Sequence, residues 1–277
     1  SYLGFTGKLE YPEKKGLYGM VAYTYSQAQD LMSAGSIAAG SFTGARSVNG
    51  NNRLDLAYSD FDIPHRVIGL FSYRTDWGTK SGGGVQFTLG YEGRRDGRFS
   101  YTYNGDMNGD NIPGNDLLFV PNAATDLIFE DQTVSGVTYT AAQQQAFFEQ
   151  YINNDEYLST IRGQYTERNG GILPWLHRFD LAMSRDFWVN IGGKRNTIQF
   201  RVDIFNIGNM LNSDWGVGRR FITTTPLQAR GVDTATGAPK YRVASQLLTE
   251  STRRTYDWGA SINDVWNLQL GVRYIFN

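Results

Sequence analysis

Seven segments of the chain alternate apolar and polar residues with period two over about 10–13 residues, roughly twice the length of a typical soluble strand. They are 2–11, 17–28, 65–76, 84–93, 177–189, 196–208 and 265–277. In 177–189, Phe179, Leu181, Met183, Phe187 and Val189 share one face, opposite Arg178, Asp180, Ser184 and Asp186. In 265–277, Trp266, Leu268, Leu270, Val272, Tyr274 and Phe276 oppose Asn267, Gln269 and Arg273. At about 3.3 Å per residue and a tilt near 40°, such strands rise roughly 25–33 Å, the height of an outer-membrane apolar band. One face would then meet lipid and the other an aqueous lumen. Aromatic residues near the strand ends, among them Tyr11, Tyr73, Trp77, Tyr91, Trp188 and Tyr274, are expected at the two interfaces.

The connections have the same regularity. Three are short (12–16, 77–83 and 190–195) and three are long (29–64, 94–176 and 209–264), and the two kinds alternate strictly. Every long loop therefore leaves the same side of the sheet, as in barrels with short periplasmic turns and long extracellular loops. The expected fold class is all-β, a transmembrane antiparallel β-barrel. Closed single-chain bacterial barrels have even strand counts from eight upward. The seven strands are thus expected to be the C-terminal part of a larger barrel, with earlier strands and any plug upstream.

Composition fits that class and excludes others. The chain combines 14% aromatic residues and 32 Gly with only 40% hydrophobic residues, and its mean hydropathy is −0.41. This is the dispersed hydrophobicity of alternating strands. With 26 Lys+Arg against 27 Asp+Glu, no basic surplus favours nucleic acid as a partner. The absence of Cys excludes disulfides, thiolate metal sites and a cysteine nucleophile. No run of about 18 apolar residues marks a transmembrane helix.

Five stretches carry a family resemblance: Tyr58-Ser-Asp-Phe-Asp-Ile-Pro-His-Arg66, Tyr101-Thr-Tyr-Asn-Gly-Asp-Met-Asn-Gly-Asp110, Arg168-Asn-Gly followed by Pro174-Trp-Leu-His-Arg-Phe-Asp180, Asp203-Ile-Phe-Asn-Ile-Gly-Asn209, and Trp266 to Asn277. In these the chain resembles the C-terminal third of a TonB-dependent outer-membrane receptor, most closely of the Oar-like group. The resemblance implies a 22-stranded barrel with an N-terminal plug in the Gram-negative outer membrane. It also implies uptake driven through the TonB complex, which would engage a region outside these residues. The terminal strand departs from the usual assembly signal, because Phe276 is penultimate and Asn277 is last.

Several residues are candidates for chemistry, each with a plainer reading. Asp106, Asn108 and Asp110 occupy positions 1, 3 and 5 of a calcium-type loop, with the Ile112 carbonyl at position 7 and the closing acid, Asp116, one residue early. Position 6 is Asn111 instead of Gly, and the plainer reading is a solvated turn. Calcium is the one cofactor suggested. His65 and His177 each precede an Arg at the outer end of a strand. They could pair on a metal, but a structural motif at loop re-entry explains them without a third ligand. Arg66, Arg74, Glu92, Arg178, Asp180, Asp186, Arg201, Asp203 and Arg273 are assigned to the lumen, either guiding a solute or pairing along a wetted wall. Trp215, Arg219, Arg220 and Trp258 combine aromatic and cationic groups suited to sugar or peptide contacts, or to holding their loop together. Residues 140–162, capped by Thr140, read as a surface helix, and Ala34–Gly44 as a mobile Gly/Ala/Ser-rich stretch.

The resulting expectation is TonB-dependent uptake of a large solute such as an oligosaccharide, peptide or chelated metal. The first alternative is a surface receptor or adhesin that binds a protein through the large loops without transport. A surface lipoprotein or peptide is the expected partner type at those loops, beside outer-membrane lipid. A soluble secreted β-sandwich is disfavoured by strand length and by the one-sided loops. Enzyme activity is not expected, since no Ser-His-Asp order or HExxH pattern occurs.

Overall fold

The computed structural model describes residues 1–277 apart from 36, 250, 252, 260, 263 and 277. Seven long strands form one antiparallel meander: β1 (Tyr2–Lys14), β2 (Leu17–Asp30), β3 (His65–Gly78), β4 (Ser81–Arg95), β5 (Trp175–Ile191), β6 (Lys194–Phe205) and β7 (Asn267–Phe276). Each pairs with its neighbour in sequence, and Ala57–Tyr58 adds a short pairing to the end of β2. The sheet does not close on itself. The short connections are tighter than the alternation suggested. Between β5 and β6 only Gly192 and Gly193 remain, with φ of +58° and +79°, the twin positive angles that a two-residue hairpin turn requires.

The register sorts the side chains into two faces. One outward row runs Tyr73, Phe87, Met183, Val202, Leu270, and the next runs Phe71, Leu89, Leu181, Ile204, Leu268. The intervening row, Ser72, Thr88, Ala182, Asp203, Gln269, belongs to the other face. The apolar face is the exposed one: Phe71 is 50%, Phe200 48% and Leu270 71% accessible. On the other face several polar positions of the central strands are sheltered, and Asp186 and Thr197 are buried. A water-soluble sheet would arrange these faces the other way round. The inversion is what a lipid-facing wall requires.

Two expectations about element ends are corrected. The strand over 196–208 stops at Phe205, because Asn206 turns into the left-handed region (φ +53°) and a short helix, Ile207–Leu211, follows. The helix expected over 140–162 is α1 (Ala141–Asn154). It starts as expected: Thr140 Oγ1 accepts the Gln143 N–H, and the Gln143 side chain accepts the Thr140 N–H at 2.9 Å. Beyond Asp155 the chain makes only a 3₁₀ turn, Leu158–Thr160. The Ala34–Gly44 stretch contains a six-residue helix, Ala38–Thr43. Asn277, the departure at the C-terminus, lies outside the described residues.

The hydrophobic core lies in the long loops. Phe99, Tyr101, Tyr103, Leu118, Val120 and Phe129 of loop 94–176 pack with Phe148, Tyr151 and Ile152 of α1 and with Leu227, Tyr241, Val243 and Leu247 of loop 209–264. Short strands knit the two loops into one cap: Leu227–Val232 pairs in parallel with Tyr103–Asn104, and Pro239–Val243 in parallel with Ile128–Phe129. Gln144, fully buried, ties helix to sheet. Its amide donates to the Glu130 and Tyr139 carbonyls, and its oxygen accepts the Val243 N–H and the Gln132 amide.

Two glutamates make the cap sensitive to acid. The Lys240 ammonium, 2.7 Å from Glu130, with Arg230 and Arg242 nearby, holds that carboxyl below its ordinary value of 4.5. Burial pushes the Glu149 carboxyl up, but the Arg162 guanidinium at 2.6 Å and the Ala124 N–H outweigh it and leave it lowered. Carboxyls depressed in the folded state stabilise it above their unfolded pKa, and that contribution is lost as pH falls through the folded values. Protection factors for hydrogen exchange in 124–154 and 227–243 should therefore drop as the pH falls below the ordinary carboxyl value of 4.5, while those of the wall strands hold. Equal protection of the cap above and below that value would contradict the assignment.

Candidate functional site

The polar face of the wall is charge-compensated from within. Arg66 binds Glu92 at 2.8 Å, and Arg201 binds Asp203 at 2.7 Å. Arg74 bridges Asp76 and Asp186, at 2.8 and 2.9 Å, while Gln199 donates to the second Asp186 oxygen. Toward the loops, Arg178 pairs with Asp264 at 3.1 Å, and Asp180 accepts the Asn206 N–H at 2.7 Å. Arg273 stands opposite Gln199 and has no acid partner among the described residues. Most charges assigned to the lumen are thus engaged with one another, and the face as a whole favours neither sign of solute.

The two histidines occupy equivalent places on the apolar face at the loop end. His65 Nδ1 lies 2.8 Å from Tyr23 OH, and His177 Nδ1 lies 2.8 Å from Tyr91 OH. Trp175 stacks between them, with ring centroids 6.0 Å from His65 and 5.7 Å from His177. Both rings are therefore part of an aromatic band in which a tryptophan separates them. This is the interface belt expected of a membrane wall.

Just above this band, a cavity of about 430 Å³ is lined by Trp175, His177, Asp214, Trp215, Arg219 and Trp258 among others. Three of the four residues singled out in loop 209–264 meet here. Trp258 packs under the Arg219 guanidinium, 3.2 Å from ring centroid to Cζ, and Trp215 remains 56% exposed. Arg220 instead donates to the Trp258 carbonyl and pairs with Asp257 at 3.2 Å. The cavity shares Trp175, His177 and Phe179 with the apolar face, so it opens at the rim of the wall. Trp175, the first residue of β5, was not singled out for this cluster because only the fold brings it against loop 209–264.

Three of the quoted motifs, those at Tyr58–Arg66, Arg168–Asp180 and Asp203–Asn209, turn out to be fasteners between loop roots. Asn169, in the left-handed region at φ +58°, donates to the Tyr58 carbonyl at 2.9 Å and to Asp60 at 2.6 Å. Arg98 binds Asp62 at 2.5 Å, both nearly inaccessible, and lies over the Tyr58 ring. Arg168, 6% exposed, reaches Asp30 Oδ1 at 2.7 Å and the Asp30 and Ala57 carbonyls. Asn206 does the same for the third loop, donating to the Gly216 and Asp264 carbonyls.

In the 106–116 turn, Asp106 accepts the Gly109 and Asn111 N–H groups, Asn108 that of Asp110, and Asp110 that of Ile112. Asn111 takes φ +64°, supplying the left-handed conformation of a sixth-position glycine. Asp116 Oδ2 accepts the Met107 N–H at 2.6 Å. Burial, reinforced by the Asp110 and Asp106 charges, raises the Asp116 carboxyl above its ordinary value despite the Met107 and Asn108 N–H bonds. Among the described residues no three His, Cys, Asp or Glu side chains form a metal-chelating group by themselves.

No curated protein and no solved structure matches the chain. A family model described as "Outer membrane beta barrel domain" matches residues 1–217. That span takes in β1 to β6, the fastened roots of the first two long loops and the start of the third. With its apolar face turned outward and its charges paired on the inner one, the chain belongs to the outer-membrane β-barrel family and resides in the Gram-negative outer membrane.

Proposed function

We propose that this chain is the loop-bearing wall of a TonB-dependent transporter of the Oar-like group, importing a large solute such as an oligosaccharide, peptide or chelated metal. The observation that carries the reading is the co-folded cap above a charge-compensated polar face. Two long loops share one buried core, which gives a pre-organised surface able to hold a large ligand without ordering loops on binding. Beneath it, paired arginines and carboxylates give a wetted wall without a deep electrostatic trap. TonB would supply the work through a plug that these residues do not contribute. The five motif stretches support the Oar-like assignment.

The same cap favours a second reading, a surface receptor or adhesin that binds a protein without importing anything. A deletion strain separates the two. With transport, it should lose growth on at least one oligosaccharide, peptide or chelated-metal sole source, and loss of TonB or addition of a protonophore should reproduce the defect. Unimpaired growth on all such sources, with loss of cell-surface protein binding, would replace transport by the receptor reading.

A further inference from the structure

The outward face carries a charge where hydrocarbon should meet it. From His177 to Phe187, the outward positions of β5 and those in register with them on β3, β4, β6 and β7 contain a single Lys, Arg, Asp or Glu, and it is Arg185. Its own row reads Thr75, Val85, Arg185, Phe200, Val272, and the next row toward the short turns reads Trp77, Gly83, Phe187, Ile198, Tyr274. The guanidinium lies over that second row, with Cζ 4.2 Å from the Trp77 ring centroid and 5.0 Å from that of Phe187. It is thus drawn toward the periplasmic aromatic belt, as a long cationic side chain on a lipid-facing wall is. No carboxylate meets it there. Asp76 and Asp186 belong to the other face, where Arg74 holds both, and Arg185 has no acid partner among the described residues.

The wall is notched at this point. A Cβ on Gly83 would stand 2.9 Å from Trp77 Cζ2, so the missing side chain lets the indole lie across the strand. The result is a cavity of about 600 Å³ lined by Trp77, Gly83, Arg185, Phe187, Ile198 and Tyr274 among others. Arg185 is the one formal charge in its lining. The margin beyond is positive as well: the connections 12–16, 77–83 and 190–195 hold Lys14, Lys15, Lys80, Lys194 and Arg195 against Glu13 alone. We propose that this notch seats the phosphate of an acidic phospholipid from the periplasmic leaflet, with Arg185 as its donor and Trp77, Phe187 and Tyr274 against the apolar part of the lipid. A phosphate accepts the guanidinium N–H groups that hydrocarbon leaves without a partner, and it does so in the fork geometry that Arg favours. A zwitterionic headgroup would bring an ammonium to a margin already crowded with cations, so the net negative headgroup is selected. The inference rests on the wall's place in the membrane and not on what the loops bind, so it and the transport reading fail separately.

The test is native mass spectrometry of the detergent-purified protein titrated with dioleoylphosphatidylglycerol or with dioleoylphosphatidylcholine. The acidic lipid should bind about fivefold or more tightly than the zwitterionic one. Arg185→Gln should erase that preference, and Arg185→Lys should keep part of it. Arg273→Gln is the control, since Arg273 stands opposite Gln199 on the other face at nearly the same depth and likewise has no acid partner among the described residues. It should leave the preference intact. Detergent-resistant mobility on gels shows that each variant is folded. Equal binding of the two lipids by the native protein would overturn the seat. So would a full preference surviving in Arg185→Gln, or an equal loss in Arg273→Gln, because the turn cations at large would then account for the binding.

Discussion

Asp155→Ala should unfold the cap while leaving the seven-strand wall in place. This carboxylate is 2% exposed and receives four donors. Tyr101 OH and Thr255 Oγ1 meet one oxygen, and the Tyr157 and Leu158 N–H groups meet the other at 2.9 and 2.7 Å. It thus joins the C-terminal end of α1, the strand segment around Tyr101 and the far end of loop 209–264. Burial, with Tyr151 and Asp155 alongside, pushes the Tyr101 phenol far up, so it stays a neutral donor at any working pH. Alanine would leave two buried hydroxyls and two N–H groups without an acceptor, a loss of about 3–6 kcal/mol. Because the cap has its own core, the damage should stay there. Limited proteolysis should cut within 94–176 and 209–264 of the variant, while the wall keeps its detergent-resistant mobility on gels. A variant as protease-resistant as the native protein would show that Asp155 does not hold the cap.

Asp155 also marks where sequence reading ends. The wall was legible because a strand's facing is a local property: period two in 177–189 is enough to separate Phe179 and Met183 from Arg178 and Asp180, whatever their neighbours. The strand end at Phe205 was hidden, because the apolar Phe205 and Ile207 keep the segment strand-like in composition up to Gly208. What stops the strand is Asn206 in the left-handed region, its N–H taken by Asp180 of the preceding strand. Likewise Tyr157, Leu158 and Ile161 prolong the helical pattern past Asn154, but Asp155 captures the next N–H groups and breaks the ladder. The cap itself was out of reach. Its strands are two to six residues long and pair across distant parts of the chain, Tyr103 with Leu227 and Phe129 with Tyr241. Segments that short carry no usable periodicity. The same limit applied to the rim cavity. Trp215, Arg219 and Trp258 were readable as one loop's aromatic and cationic cluster, but Trp175 and His177 join them only through the fold.

The largest energetic difference between adjacent residues should appear on β5. Met183 lies in the middle of the outward face, in register with Phe87 and Val202, and is 37% exposed with no polar neighbour in its row. If that face meets hydrocarbon, Met183→Arg places a charge near the bilayer midplane and costs about 2–4 kcal/mol. Ala182 is one residue away and on the other face, directly opposite Asp203 and Thr88. An arginine there gains a wet surface and a carboxylate in reach, so Ala182→Arg should change stability by less than about 1 kcal/mol. The two variants have the same chemistry, the same strand and nearly the same depth, so intrinsic strand propensity cancels between them. Reversible urea unfolding in phospholipid vesicles measures the difference directly. A soluble sheet would reverse the ranking or erase it, because an exposed apolar row in water accepts arginine at almost no cost. Equal stabilities for the two variants would therefore remove the lipid from the outward face, and with it the physical reason for the exposed row of Phe71, Phe200 and Leu270.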